Sequence, residues 1–232
     1  MKIVNIAVSE LVFDPNIYPR ASGPSTSNIA QLAEALRAGE TLPPIVATKK
    51  TRRLVDGVNR WRAWRRVHGP DSKIPCEIVE EEDDRELFVL AVKQNTAHGL
   101  GLSQYDRTAS LVRMEQLGVT REVALTALRI TAEFGERIEA KKTAYRKGDA
   151  GQPEKVALKG AMHGFRGETL SKRQERANLS AGGMKPEYYC NQMISLVEAG
   201  IIAKASASLL QRLRLLKELL NATLPANKKK SA

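Results

Sequence analysis

The chain is poor in the residues that staple or metallate small proteins. Its 232 residues include two cysteines and three histidines. Cys76 and Cys190 stand far apart and alone, which argues against a disulfide framework or a cysteine-rich zinc site. His68, His98 and His163 are too scattered for a histidine-rich metal site, so no metal ligand and no catalytic residue is assigned. No run approaches the ~20 consecutive apolar residues that span a bilayer. Met1 to Ile6 alternates, without the apolar core and small-residue cleavage site of a signal peptide. A cytoplasmic address without a membrane partner is expected.

Acidic charge is scarce in one half of the chain. The formal net charge is +11. Residues 1–100 hold 14 Lys/Arg and 13 Asp/Glu, whereas residues 101–232 hold 23 and 13. Basic excess of this kind is the footprint of a polyanion binder, because neutralised phosphates release condensed counterions. The asymmetry places that partner on the second half.

The first half reads as α/β. Lys2 to Val8 alternates as a half-buried strand. Ser25, Ser27 or Asn28 caps a helix with Ile29, Leu32, Ala33 and Leu36 inside and Gly39 at its end. Ile45–Ala47 is a buried strand, Lys49–Arg53 a basic hairpin turn, and Arg53–Asp56 the return strand. Gly57 opens a helix that ends at Gly69-Pro70. A strand follows over 74–79, then an acidic run from Glu80 to Glu86 and an apolar helix containing Leu87, Leu90 and Ala91. The second half reads as helical. Ser103 caps a helix with Tyr105, Ala109, Val112 and Leu117 on one face. Arg121–Leu128 forms the next helix, and helical pattern resumes from Thr131 to about Arg146. Residues 148–153 are a linker or long turn, and Gly160–Gly167 a loop. Ser171 begins a capping box with Gln174, Pro186 opens a helix to Gly200, and a last helix runs from about Ala203 to Leu220.

The most informative stretch is Leu54-Val55-Asp56-Gly57-Val58-Asn59-Arg60-Trp61-Arg62-Ala63. A strand, a glycine turn and a helix N-terminus bearing arginines form an anion cradle, because glycine permits close backbone approach and the first helical N–H groups lack partners. The same spacing also fits a plain strand-to-helix connection with a solvated basic face. In context, with the Pro19-Arg20 loop, the Ile29–Leu36 helix and Pro44-Ile45-Val46 upstream, it resembles the ParB family. In that family a Pro-Arg loop, a helix and a Pro-Ile-Val strand precede a Gly-x-x-Arg-x-x-Ala signature, matched by Gly57, Arg60 and Ala63. The family's N-terminal domain shares its fold with sulfiredoxin, but Val58 stands where the sulfiredoxin thiol would be.

The resemblance implies a phosphate-binding turn for a nucleotide, CTP with Mg²⁺, held by Gly57, Asn59, Arg60, Arg62 and Asn95. Two departures bear on it. Val58-Asn59 replaces a Glu-Arg pair common in partition proteins. Gln94-Asn95-Thr96-Ala97-His98 replaces Glu-Asn-x-x-Arg, exchanging a carboxylate for an amide, which is a poorer ligand for a hard cation. The resemblance also implies a DNA-binding helix-turn-helix over residues 101–147. Gly118 to Leu125 would enter its first helix, with Ala124 at the close-packing position, Leu128 where the turn bends and Phe134 packed inward. One continuous helix from Thr120 to Arg146 is the competing reading. In the helix pair, Arg129, Thr131 and Glu133 are placed to meet base edges. Arg137, Lys141, Lys142 and Arg146 are placed to touch phosphate.

Residues 148–232 form a linker and helical region. There Leu209, Leu213, Leu216 and Leu220 make a short heptad-like stripe that packs either on its own chain or across a dimer. The expected architecture is an α+β ParB/sulfiredoxin-like domain (1–100), an all-α helix-turn-helix (101–147) and a helical C-terminal region. The expected role is a sequence-specific DNA-binding protein of partition or transcription-regulator type. Its partners would be double-stranded DNA, a nucleotide, a partition ATPase and a second copy of the chain. A ParB-fold nucleotide hydrolase or nuclease is the alternative.

Overall fold

The computed structural model describes residues 3–80, 83–97, 100–182, 184, 186–200 and 206–224. It divides into two units, Met1–Gly183 and Met184–Ala232, each described by itself.

The first unit begins with β1 (Ile3–Ala7), and α1 (Thr26–Arg37) follows once the Ser25 hydroxyl accepts the Asn28 N–H. Next come β2 (Ile45–Thr48), β3 (Leu54–Asp56), α2 (Val58–His68) and β4 (Lys73–Val79). The four strands make one sheet in the order β1-β4-β2-β3, with β2 parallel to β4 and the other two pairs antiparallel. Successive side chains of a strand point to opposite faces. On one face Ile45, Ala47 and Leu54 pack with Val58 and Trp61 of α2. On the other, Val46 and Val55 meet Ile17 and α3 (Asp84–Ala97) through Leu87 and Ala91. Helices α1 and α2 meet through Ala33, Leu36 and Ala63, where the two alanines permit close approach.

Helix α3 has a second apolar side. Phe88, Val89 and Val92 pack against α4 (Gln104–Gln116) and α5 (Arg121–Leu128) through Leu111, Met114, Ala124, Ala127 and Leu128. A buried Leu such as Leu87, with no exposed area, contributes roughly 1.5–3 kcal/mol. Helix α3 is therefore shared between the sheet and the helical core. In α4 Asp106, Thr108, Ser110, Leu111, Val112 and Met114 are buried; of the expected face Val112 is buried and Leu117 packs against the helical core, while Tyr105 and Ala109 are half-buried.

After α6 (Ala132–Lys142) the chain departs from an all-α reading. Residues expected to continue the helix form β5 (Thr143–Lys147), paired antiparallel with β6 (Pro153–Ala157). The Thr143 hydroxyl donates to Glu139 O at 2.6 Å, and Ala144 is buried against Leu158, Met162 and Leu170. Burial of Ala144 and the pairing of β5 override the helix propensity of the preceding Glu-Ala-Lys-Lys run. Residues 148–153 contain the hairpin turn, and Gly160–Phe165 is a 3-10 helix rather than a loop. Helix α7 (Lys172–Ser180) starts at the Ser171–Gln174 capping box. Buried Asn178 ties it to the hairpin, accepting Lys159 N–H at 2.9 Å and donating to Ala157 O at 2.8 Å.

The second unit holds α8 (Pro186–Glu198) and α9 (Ala207–Thr223), and none of their residues is buried. Ser206 caps α9, so that helix starts later than expected; residues 201–205 lie outside the described residues.

Candidate functional site

Gly57 links β3 to α2 with a left-handed backbone, φ +87°. An added Cβ would lie 2.6 Å from Ile45 Cγ2, in the core beneath the turn. The N–H groups of Val58, Asn59 and Arg60 precede the first bond of the helix, from Trp61 N–H to Gly57 O at 2.8 Å. Such groups carry the positive end of the helix dipole.

A cavity of about 250 Å³ opens over this turn. Gly57, Asn59, Arg60 and Asn95 line it, joined by Tyr18, Arg20, Asn28 and Asp56. Asp56 organises its floor. Arg60 Nη2 donates to Asp56 Oδ2 at 2.8 Å and to Pro44 O at 3.3 Å, and Asn95 Nδ2 donates to Asp56 Oδ1 at 3.2 Å. Asn59 Nδ2 donates to Asn28 Oδ1 at 3.1 Å. Two buried polar atoms, Arg60 Nε and Asn59 Oδ1, have no hydrogen-bond partner among the described residues. Arg20 closes one side by donating to the carbonyls of Leu100 and Gly101. Burial pushes the Tyr18 phenol up to about 12, with Asp106 and Asp56 adding to the rise and Arg20 and Arg62 opposing it. It therefore stays a neutral hydroxyl at the cavity wall.

Of the five expected nucleotide residues, the structure brings four together and leaves out Arg62. That correction follows from helix geometry: two positions past Arg60, Arg62 faces away, with its guanidinium 5.4 Å from the centre of the Phe13 ring. Sequence reasoning missed Tyr18, whose signal was only its place beside Pro19-Arg20, and saw Asn28 only as a candidate cap of α1. Asp56, which the sequence shows only as the end of the return strand, anchors Arg60 and Asn95. His98 lies outside the described residues. The donor set fits phosphate oxygens. For Mg²⁺ the lining offers one carboxylate, Asp56, already engaged by Arg60. No cluster of three His, Cys, Asp or Glu suited to a metal occurs among the described residues.

The second candidate surface is the α5–α6 pair. Three residues separate the helices, which overturns the single-helix reading. Arg129 takes a left-handed backbone, φ +53°, and its N–H bonds back to Thr126 O at 3.1 Å. The Thr131 hydroxyl then accepts Phe134 N–H at 3.2 Å to open α6. The bend falls at Arg129 rather than Leu128, which is buried. Ala124 is buried as expected. The inward residues of α6 are Gly135 and Ile138, while Phe134 is half-buried beneath Arg137, 4.9 Å from its ring centre. Gly135 went unnoticed in the sequence; an added Cβ there would sit 2.7 Å from Leu125 Cδ2. An ion pair of 2.8 Å between Arg121 and Glu139 braces the two helices.

Arg129, Thr131, Glu133, Arg137 and Lys141 are exposed on the turn and on α6. Lys142 is half-buried, and burial, helped by the Arg137 charge, lowers its pKa. Arg146 is not on the helix. It sits on β5, with Nε 2.9 Å from Glu154 Oε2, because the helix ends at Lys142.

No family model matches the chain. It is 42% identical over 95 residues to the transcriptional regulator NovG of Streptomyces niveus, a match covering 40% of this chain and 27% of that protein. It is 37% identical over 100 residues to a possible regulatory protein of the streptomycin biosynthesis operon of Streptomyces griseus, covering 43% and 27%. The chain thus spans 27% of the length of these relatives. Among solved structures it is similar to the C-terminally truncated chromosome-partitioning protein ParB of Caulobacter crescentus. With its complex at the centromeric parS site the identity is 19% and the TM-score 0.44, over 60% of this chain and 72% of that one. With its CTP-γ-S complex the values are 19% and 0.37, over 58% and 75%. The Gly57 cavity and the α5–α6 pair both belong to the first unit. No helix among the described residues is long and apolar enough to cross a membrane.

Proposed function

We propose that this ParB-like chain is a regulator that binds duplex DNA in a sequence-dependent way through α5 and α6. The observation that carries the reading is the three-residue turn between two short helices, with α6 presenting Glu133, Arg137 and Lys141 to solvent beyond it. A helix of 11 residues with one side exposed to solvent suits the major groove, about 12 Å wide. Its first turn would face base edges and its later cations phosphate. The two relatives named as regulators support a role in transcription control. The cavity over Gly57 would take the phosphates of a nucleotide, the α2 N-terminus and Arg60 supplying the donors. The choice of CTP follows from the sequence resemblance. The exposed leucines of α9 support a homodimer reading a two-fold site. The hydrolase and nuclease alternatives have no observation of their own, since Asp56 is held by Arg60 and Asn95.

Selection of bound duplexes from random DNA tests the reading directly. A recurrent, two-fold symmetric site is expected, with binding that weakens steeply as salt rises. Arg137→Ala with Lys141→Ala should remove most of that affinity. Absence of any duplex binding at low salt overturns the reading. Titration with CTP should give saturable binding that Arg60→Ala abolishes; a wild type that binds no nucleotide refutes the pocket assignment alone.

A further inference from the structure

We propose that the β5–β6 hairpin is a second duplex contact, gripping phosphates beside the groove that α6 enters. The proposal rests on the reading of α6 as the DNA reader and adds a surface to it.

Helix α6 ends at Lys142 and β5 starts at Thr143, so the hairpin is a direct extension of the helix. Thr143 and Ala144 are buried, and the next three residues, Tyr145, Arg146 and Lys147, are all exposed. A strand lying on a core exposes every second residue. Three in succession mean that the outer part of β5 stands clear of the core. Those three residues, at about 3.3 Å each, reach about 10 Å, comparable to the ~12 Å width of the major groove. The projection is stiff. One edge of β5 pairs with β6 from Thr143↔Ala157 to Lys147↔Pro153. On the other side Tyr145 N–H donates to Glu168 O at 2.8 Å, and Leu170 N–H donates to Tyr145 O at 2.7 Å. Little conformational entropy would be lost when such a backbone meets a ligand.

The charge fits a phosphate backbone. From 141 to 147 the chain carries Lys141, Lys142, Arg146 and Lys147 and no acid. Lys147 has no ion-pair partner among the described residues, whereas Arg146 is held by Glu154 at 2.8 Å. Lys155, on β6, is taken by Glu115 and Glu139 on the side of the fold. Asp149, at the turn, is the acid nearest the hairpin's tip and sets where phosphate would be turned away. The Tyr145 hydroxyl adds a neutral donor of the kind that positions phosphates. Such contacts hold the protein on the duplex without reading bases.

The test measures binding of the full chain to its selected duplex and to an unrelated one, over a range of salt. Lys147→Gln is expected to weaken both by a similar factor, about 3–10-fold, and to make the slope of log K against log salt shallower by about one. Lys147→Arg should bind like the wild type. Glu154→Gln frees Arg146 and is expected to tighten binding to both duplexes and steepen the slope. Matching circular dichroism and melting of each variant exclude loss of fold. Lys147→Gln binding with wild-type affinity and slope overturns the proposal, as does a loss confined to the selected site. A wild type that binds neither duplex at low salt overturns the α6 reading and this one together, and is seen before any variant is made.

Discussion

Gly57 is the residue on which the cavity turns. Its left-handed backbone is rarely adopted by L side chains, and the space a Cβ needs belongs to Ile45, a fully buried strand residue. Gly57→Ala must either shift β2 or distort the α2 N-terminus. A destabilisation of about 2–4 kcal/mol is expected, combining backbone strain with overpacking. It would lower the melting temperature by several degrees; an unchanged melt would show that the turn is not under that constraint. Tyr18 makes a second statement at this scale. Its phenol ionises at the ordinary value of 10 when unfolded and at about 12 when folded. The folded state therefore holds the proton longer. Its stability contribution is complete below pH 10 and is lost as pH rises towards 12. In an absorbance titration of phenolate, Tyr18→Phe should remove a step centred near pH 12.

Among elements, the α5–α6 turn separates stability from recognition. Arg129 sits in a backbone region that costs an ordinary L-residue roughly 1–2 kcal/mol and costs glycine little. Arg129→Gly is expected to raise stability by about 0.5–1 kcal/mol, the relief exceeding the extra entropy of glycine. On the proposed reading of α6 the same change also removes a cation from the end that faces base edges, so duplex affinity should fall while the melt rises. Both quantities falling together would place Arg129 in the structural support of the turn instead. Helix α3 shows how elements share work: Leu87 and Ala91 face the sheet, while Phe88, Val89 and Val92 face the helical core. A polar substitution at Val92 would therefore loosen α4 and α5 before it loosens the sheet.

At the scale of the whole molecule, the division between Gly183 and Met184 separates a unit with buried cores from one without a buried residue in either helix. Residues 1–183 are expected to fold alone, and the full chain to associate through α8 and α9. Sedimentation should show a truncated chain at monomer mass with an unchanged melting transition for the sheet unit. A truncated chain that still dimerises would move the association surface into the first unit. The positive charge follows the same economy. In the first half basic groups are balanced by acids, whereas in the second Glu115, Glu139 and Glu154 engage Lys155, Arg121 and Arg146. Other cations, including Lys141 and Lys147, face solvent.

Much of the local order was legible along the chain, because its determinants are local. Ser25, Ser103 and Ser171 announce helix starts through side-chain caps, Gly57 marks a turn, and alternation marks β1. Local signals failed at 143–147. There, strong helix formers run into residues that become a strand once Ala144 has a core to enter and β6 a partner edge to offer. They could not show Asp56 between Arg60 and Asn95, because the latter is 39 residues away and only packing of α3 on the sheet brings it near. Nor could residue order show that Arg62 leaves the cavity and Arg146 leaves the helix. The sequence by itself determined the elements, their caps and the side of the chain that is basic, because these depend on neighbours within a few residues. The tertiary structure decided which charges meet, which are spent on each other, and which face solvent.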